Sequence, residues 1–168
     1  MGGLLAGIAI KKESKAPIIV LTEAVVDEES GVMGDHKGKL SKRQVTVLFG
    51  KKWRAACVEA CGSHVEECAL YIDWRARRAN LFVEGIEAGK GDVGKLLHVG
   101  SEVVLEITGE TKPCNRMNEA HPGLREALKP DWRAGVTCKV VRGGEIKLDD
   151  EVHLEPREES YDVGRCVV

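Results

Sequence analysis

Apolar side chains recur along this chain mostly at every second position, in short runs that stop at glycine, proline or clustered charge. Residues 4–10 and 18–25 are two such runs, joined by the polar stretch KKESKAP at 11–17, and they predict two strands of a hairpin or meander. Residues 43–49 (RQVTVLF) alternate into another strand that Gly50 stops. The same pattern returns at 80–85, 95–99, 102–108, 134–141, 146–148 and 151–154, with Gly100-Ser101 as a hairpin link, Arg142–Glu145 as a tight turn and the last two runs completing a meander. The period lengthens to that of a helix twice. Trp53, Ala56, Cys57, Ala60 and Cys61 form one apolar stripe ended by Gly62, while Met117, Leu124, Ala127 and Leu128 form a partial stripe broken at His121-Pro122-Gly123. Residues 115–129 therefore predict two short helical pieces.

Eight or nine short strands with two or three helical pieces, in a chain of 168 residues, predict a mostly β fold: an antiparallel barrel or sandwich with helices in its connections. The strands lie too close together for βαβ crossovers, which argues against a doubly wound sheet. Residues 1–168 read as a single domain without repeat or linker, and the polar stretch 156–168 as a frayed tail.

Charge adds one constraint. A formal net charge of −2 exerts no global pull on nucleic acid or membranes, so any anion site must be local. No apolar run approaches the roughly eighteen residues of a membrane span. Residues 1–10 lack the basic start of a secretory signal, and Ala6 breaks the N-myristoylation pattern. The expectation is a cytoplasmic protein with neither a nucleic-acid nor a membrane partner.

Six cysteines, at 57, 61, 68, 114, 138 and 166, contain no C-x-x-C pair and fit no zinc pattern. In a reducing compartment they require no disulfide framework. Cys57 and Cys61 belong to the helix stripe and read as core packing. His64 and Cys68 stand four apart but lack a second ligand pair. Cys114 differs, because it follows Pro113, lies between Lys112 and Arg116, and sits where a strand gives way to a helix. Two cations and the amides of a following helical turn would favour its thiolate, the nucleophilic and metal-binding form. The local sequence fits a reactive thiol and a core-filling one equally.

The glycine-punctuated loop 27–39, with Asp35, His36 and Lys37, fits either a solvated connection or a binding loop. Lys37, Arg43, Arg77, Arg78, Arg116 and Arg133 all fall at strand ends or in loops, where a barrel mouth could gather them around a phosphorylated ligand. No phosphate-binding glycine loop, serine-hydrolase elbow or H-E-x-x-H motif is present.

Taken in order, several segments resemble the MOSC domain, named for the C-terminal domain of molybdenum cofactor sulfurases. They are GVMGDHKG (31–38), RQVTVL (43–48), RRANLFVEGI (77–86), LHVGSEVVLEIT (97–108), KPCNRM (112–117), GLREAL (123–128) and GVTCKVVRGGEIKLDDEV (135–152). The match runs from 31 to 154. It implies a closed β-barrel with helices in the connections that handles the molybdenum cofactor, molybdopterin. It further implies that Cys114 is the sulfur carrier or molybdenum ligand. By the same resemblance Gly34, Asp35 and His36, with Lys37, Arg43, Arg78, Asn80, Lys112, Arg116 and Arg133, would serve the cofactor pocket. Where relatives read G-E-N this chain reads R-A-N at 78–80. A pyridoxal-phosphate desulfurase domain, fused to the larger sulfurases, is not expected in 168 residues. Sulfur or electrons would then come from a separate cysteine desulfurase or an electron-transfer protein. Three roles are open: sulfur carriage on a Cys114 persulfide, reduction of N-hydroxylated substrates at a Cys114-ligated molybdenum, and non-catalytic carriage of the cofactor.

Overall fold

The computed structural model describes residues 2–62 and 72–156. His64, Cys68, Cys166 and the tail expected to fray, apart from Pro156, lie outside the described residues. Eleven strands and three short α-helices are present among those described. In chain order they are β1 (Gly3–Ile10), β2 (Ile19–Leu21), β3 (Glu23–Asp27), β4 (Gly31–Val32), β5 (Val45–Phe49), α1 (Gly50–Cys61), β6 (Leu81–Glu84), β7 (Leu96–Val99), β8 (Val103–Glu110), α2 (Arg116–Ala120), α3 (Leu124–Ala127), β9 (Val136–Arg142), β10 (Gly144–Lys147) and β11 (Glu151–Glu155).

Seven strands close into a ring in the order β11-β7-β8-β9-β5-β6-β1, with β1 returning to β11, and β2 adds to the free part of β1. Of the barrel and sandwich left open by the alternating pattern, the barrel implied by the resemblance is present. Its interior is the face that period-2 alternation turns inward: Leu5, Val47, Leu81, Leu97, Val99, Leu105, Ile107, Val136 and Val152 are all 0% exposed. A second core lies outside the wall, where Trp53, Ala56 and Cys57 of α1 meet Leu48, Phe82, Met117, Leu124 and Leu128. The helix stripe thus packs as its spacing predicts. Gly50, expected only to stop the strand, opens α1, and Gly62 ends it with a positive φ of 59°.

Pairing departs from the expected meanders in three places. The run 18–25 breaks at Thr22, so β2 stays with β1 while β3 joins β4 and β10 in a separate three-stranded sheet. Residues 146 and 152 accordingly belong to different sheets, and β11 pairs with β7 and β1 instead of with β10. The third departure is a parallel pair, β5 with β6. The segment from 50 to 80, containing α1, supplies the long crossover that parallel strands need. The remaining ring pairs are antiparallel.

Candidate functional site: a basic cleft with an exposed thiol

The barrel end nearest the β8–α2 junction opens into a cleft of about 300 Å³. Cys114 lines it, together with Lys11, Asp35, Lys37, Arg43, Thr46, Arg77, Arg78, Asn80, Lys112 and Arg116. Three segments build this mouth: the exit of β1 with the loop after β4, the turn before β6, and the stretch between β8 and α2.

Asp35 fixes the first segment. Its carboxylate accepts hydrogen bonds from the backbone N–H of Lys11 at 2.8 Å and of Lys37 at 3.3 Å, and the His36 N–H donates to the Lys11 carbonyl at 2.8 Å. Glycine is required where this loop turns back. A Cβ on Gly38 would lie 1.6 Å from the Ser30 carbonyl oxygen, and Gly34 holds a φ of +93° with Ile10 against it. Lys37 is thereby presented to the cleft; Gly34 and His36 shape the loop without lining it. The His36 Nδ1 is buried and has no hydrogen-bond partner.

The second segment separates two adjacent arginines by function. Arg77 ends a 3-10 turn, Trp74–Arg77, and is half-buried under the cleft, where its Nε donates to the Ala134 carbonyl (2.9 Å) and an Nη to the Thr111 hydroxyl (2.7 Å). Arg78 adopts a left-handed φ of 62°, which turns its side chain the other way, over the loop after β1. There one Nη donates to the Ala16 carbonyl at 2.7 Å, while the buried Nε has no partner. Asn80 is consumed structurally. Its Oδ1 accepts from the Thr46 N–H and hydroxyl, and its Nδ2 donates to the Ala9 carbonyl, tying β5, β6 and β1 together at the cleft floor.

In the third segment Cys114 is exposed and Lys112 and Arg116 flank it. The helix that follows, α2, has five residues, too few for an appreciable aligned dipole. The side-chain cations therefore supply the positive field at the thiol. Other cysteines differ in kind. Burial pushes the Cys57 thiol up to about 11 and Cys138 higher still, and Cys61 is disulfide-bonded instead of simply filling the core. Among the described residues Cys114 is the exposed free thiol.

Electrostatics set the cleft apart from the rest of the surface. Seven basic side chains (Lys11, Lys37, Arg43, Arg77, Arg78, Lys112 and Arg116) line it against one carboxylate, Asp35. Among the described residues none of the seven is ion-paired. Their mutual repulsion is visible in Lys11. Burial, then Lys37, Arg78 and Arg116, lower its pKa from 10.5 to about 8, against a weaker pull from Asp35. Burial lowers Arg77, with the Cys114 charge opposing the shift; burial and then Arg116 lower Arg78. Uncompensated cations around an exposed thiol would be relieved by a polyanion. The unpartnered Arg78 Nε marks a free donor for one. Molybdopterin, with its phosphate and electron-rich dithiolene, fits that donor set.

Arg133 is not part of this arrangement. It lies on another face, bonded to the Glu59 carboxylate and, at 2.9 Å, to the Ala127 carbonyl. Two cations absent from the expected cofactor set belong to the cleft. Lys11 sat in a stretch that read as a plain polar turn, and only the fold shows that β1 delivers it to the barrel mouth. Arg77 was among the cations expected at a barrel mouth, and the sequence does not show that the fold anchors it from below while Arg78 turns away.

Comparison with known proteins bears on the whole chain. Residues 37–153 match the model of the MOSC domain. The fold is similar to that of the YuaD protein from Bacillus subtilis, with a TM-score of 0.71 and 17% identity over 94% of this chain and 98% of that one. It is also similar to YiiM from Escherichia coli (TM-score 0.65, 17% identity, 94% and 71% coverage) and to YiiM from Geobacillus stearothermophilus (0.62, 15%, 92% and 76%). No curated protein matches the chain at a significant level.

Proposed function

Because this chain belongs to the MOSC domain family, a family associated with the molybdenum cofactor, we propose that its basic cleft binds that cofactor and that Cys114 carries sulfur for it. The observation behind this reading is the conjunction, among the described residues, of seven cations without ion pairs and the exposed free cysteine in one cleft. Guanidinium groups pair phosphate oxygens bidentately, so Arg43, Arg78 and Arg116 would hold the phosphate-bearing end. Arg77, fixed from below by Thr111 and the Ala134 carbonyl, contributes charge without needing to move. When bound, the cofactor would supply a metal–dithiolene centre able to accept sulfur.

The step assigned to this chain is the loading of Cys114. Its thiolate attacks the outer sulfur of a persulfide on a separate cysteine desulfurase. A new S–S bond forms at Cys114, the donor S–S bond breaks, and the donor cysteine leaves as a thiolate. One sulfur atom moves and no external oxidant is needed. The cations around the cleft stabilise the anionic persulfide that results. A cytoplasmic setting belongs to the same proposal, with the disulfide-bonded Cys61 as an exception to the reduced thiols expected there. Among the described residues no helix is long and apolar enough to cross a membrane.

Incubation with a persulfide-loaded desulfurase, followed by mass spectrometry of intact and digested protein, tests the assignment. The expected result is a gain of one sulfur atom on the peptide containing Cys114, lost in Cys114→Ser. Loading of Cys114→Ser to the wild-type extent overturns the carrier role. Stoichiometric molybdenum in gently purified protein that disappears in Cys114→Ala would make Cys114 a metal ligand instead, and would favour the reductase reading.

A further inference from the structure

On the outer wall of the barrel, away from the side chains that line the basic cleft, two histidines face each other across the β7–β11 ladder. His98 and His153 are direct partners in its register, and Glu155, two residues further along β11, projects from the same face. Their inward neighbours Leu97, Val99 and Val152 are buried in the barrel interior, so the three polar side chains share the outer surface. The imidazole rings stack with centroids 4.5 Å apart and planes 2° from parallel. One carboxylate oxygen of Glu155 lies 3.1 Å from His98 Nε2 and 3.6 Å from His153 Nε2. All three ligand atoms fall within 4.8 Å of one another.

We infer that His98, His153 and Glu155 form a binding site for a divalent transition-metal ion of the zinc class. A tetrahedral ion with ligand bonds of about 2.0–2.1 Å holds its donors roughly 3.3 Å apart. The two nitrogen–oxygen separations already bracket that value, at 3.1 and 3.6 Å. A rotation about χ2 of the half-exposed His153 would be needed to turn its lone pair out of the stacked arrangement and toward that of His98. The His98 Nε2 is buried, and its near neighbour is the Glu155 carboxylate at 3.1 Å, outside good hydrogen-bond alignment. Two neutral nitrogens and one carboxylate suit zinc, cobalt, nickel or copper ions; magnesium and calcium prefer all-oxygen shells. A fourth position remains open to water.

Position gives the site its role. β11 closes the ring between β7 and β1, and metal ligated from both β7 and β11 would clip that closing strand in place. Binding to the folded chain then raises its stability by mass action.

Titration of the purified, metal-free protein with Zn²⁺ by calorimetry, and with Co²⁺ by visible absorption, tests the site. Expected are one equivalent bound, ligand-field bands of a nitrogen–oxygen shell without a sulfur-to-cobalt charge-transfer band, and a rise in Tm on metal addition. His98→Ala and His153→Ala should each weaken binding by more than about tenfold, since loss of an outer-shell partner alone costs that much. Imidazole ¹⁵N resonances of His98 and His153 should shift together on Zn²⁺ addition, a readout that does not depend on any variant folding. Absence of binding in the wild type, or wild-type affinity in the His98→Ala, His153→Ala double variant, overturns the inference. So does a charge-transfer band that vanishes in Cys114→Ser, which would place the metal on the thiol.

Discussion

Lys11 shows how a single side chain reports the field of a whole site. The residue is buried and faces Lys37, Arg78 and Arg116; burial first, and then these cations, hold its pKa at about 8 in the folded chain against 10.5 when unfolded. Below pH 8 both states carry the proton, and the folded state bears the full penalty of that charge. Between pH 8 and 10.5 the folded chain has released the proton while the unfolded chain keeps it, so stability rises with pH through this window. Lys11→Met should remove that slope and stabilise the protein at pH 7 by roughly 2 kcal/mol, read from urea unfolding at pH 7 and pH 10. An oxyanion seated in the cleft would act in the opposite sense on Lys11, favouring its charged form. Phosphate should therefore raise the Tm of the wild type more than that of the variant.

Between elements, the informative residue is Asn80. β5 and β6 run parallel, and their junction with β1 is held by Asn80 through Thr46 on one side and the Ala9 carbonyl on the other. Asn80→Ala leaves the Thr46 N–H and the Ala9 carbonyl without these partners in a buried setting. The expected cost is about 2–4 kcal/mol, measured by chemical denaturation, because each orphaned group carries its own desolvation penalty. The strands themselves were legible from alternation, and α1 from the spacing of Trp53, Ala56 and Cys57. Their partners were not. Alternation fixes which face of a strand is apolar but carries no information on which strand lies beside it, so β3 and β10 read as parts of meanders. The same limit applies to the cleft. Cys114 was legible because proline and two cations mark it locally, whereas Lys11, Arg77 and Arg133 were sorted by the fold: two delivered to the mouth, one carried to another face.

At the scale of the molecule, the barrel is least secured where it closes. β1 and β11 share two ladder positions, Gly3 with Val152 and Leu4 with Glu151, extended by hydrogen bonds from the Leu5 and Asp149 N–H groups. β8 and β9 are paired at six positions. Native-state hydrogen exchange should find the Leu5 amide opening locally, at least roughly tenfold faster than Cys138 or Val140 in the centre of the wall. Equal protection at these positions would mean that the ring opens only with global unfolding. That closure joins residues 3 and 152, so nearly the whole chain separates its two halves. A ribosome adding ~5–20 residues per second takes on the order of ten seconds to travel between them. Throughout that interval the first strand waits with an unpaired edge, of the kind that invites pairing with another chain. While it is being made, this barrel can exist only as an open sheet; it becomes a ring once its last strand has emerged.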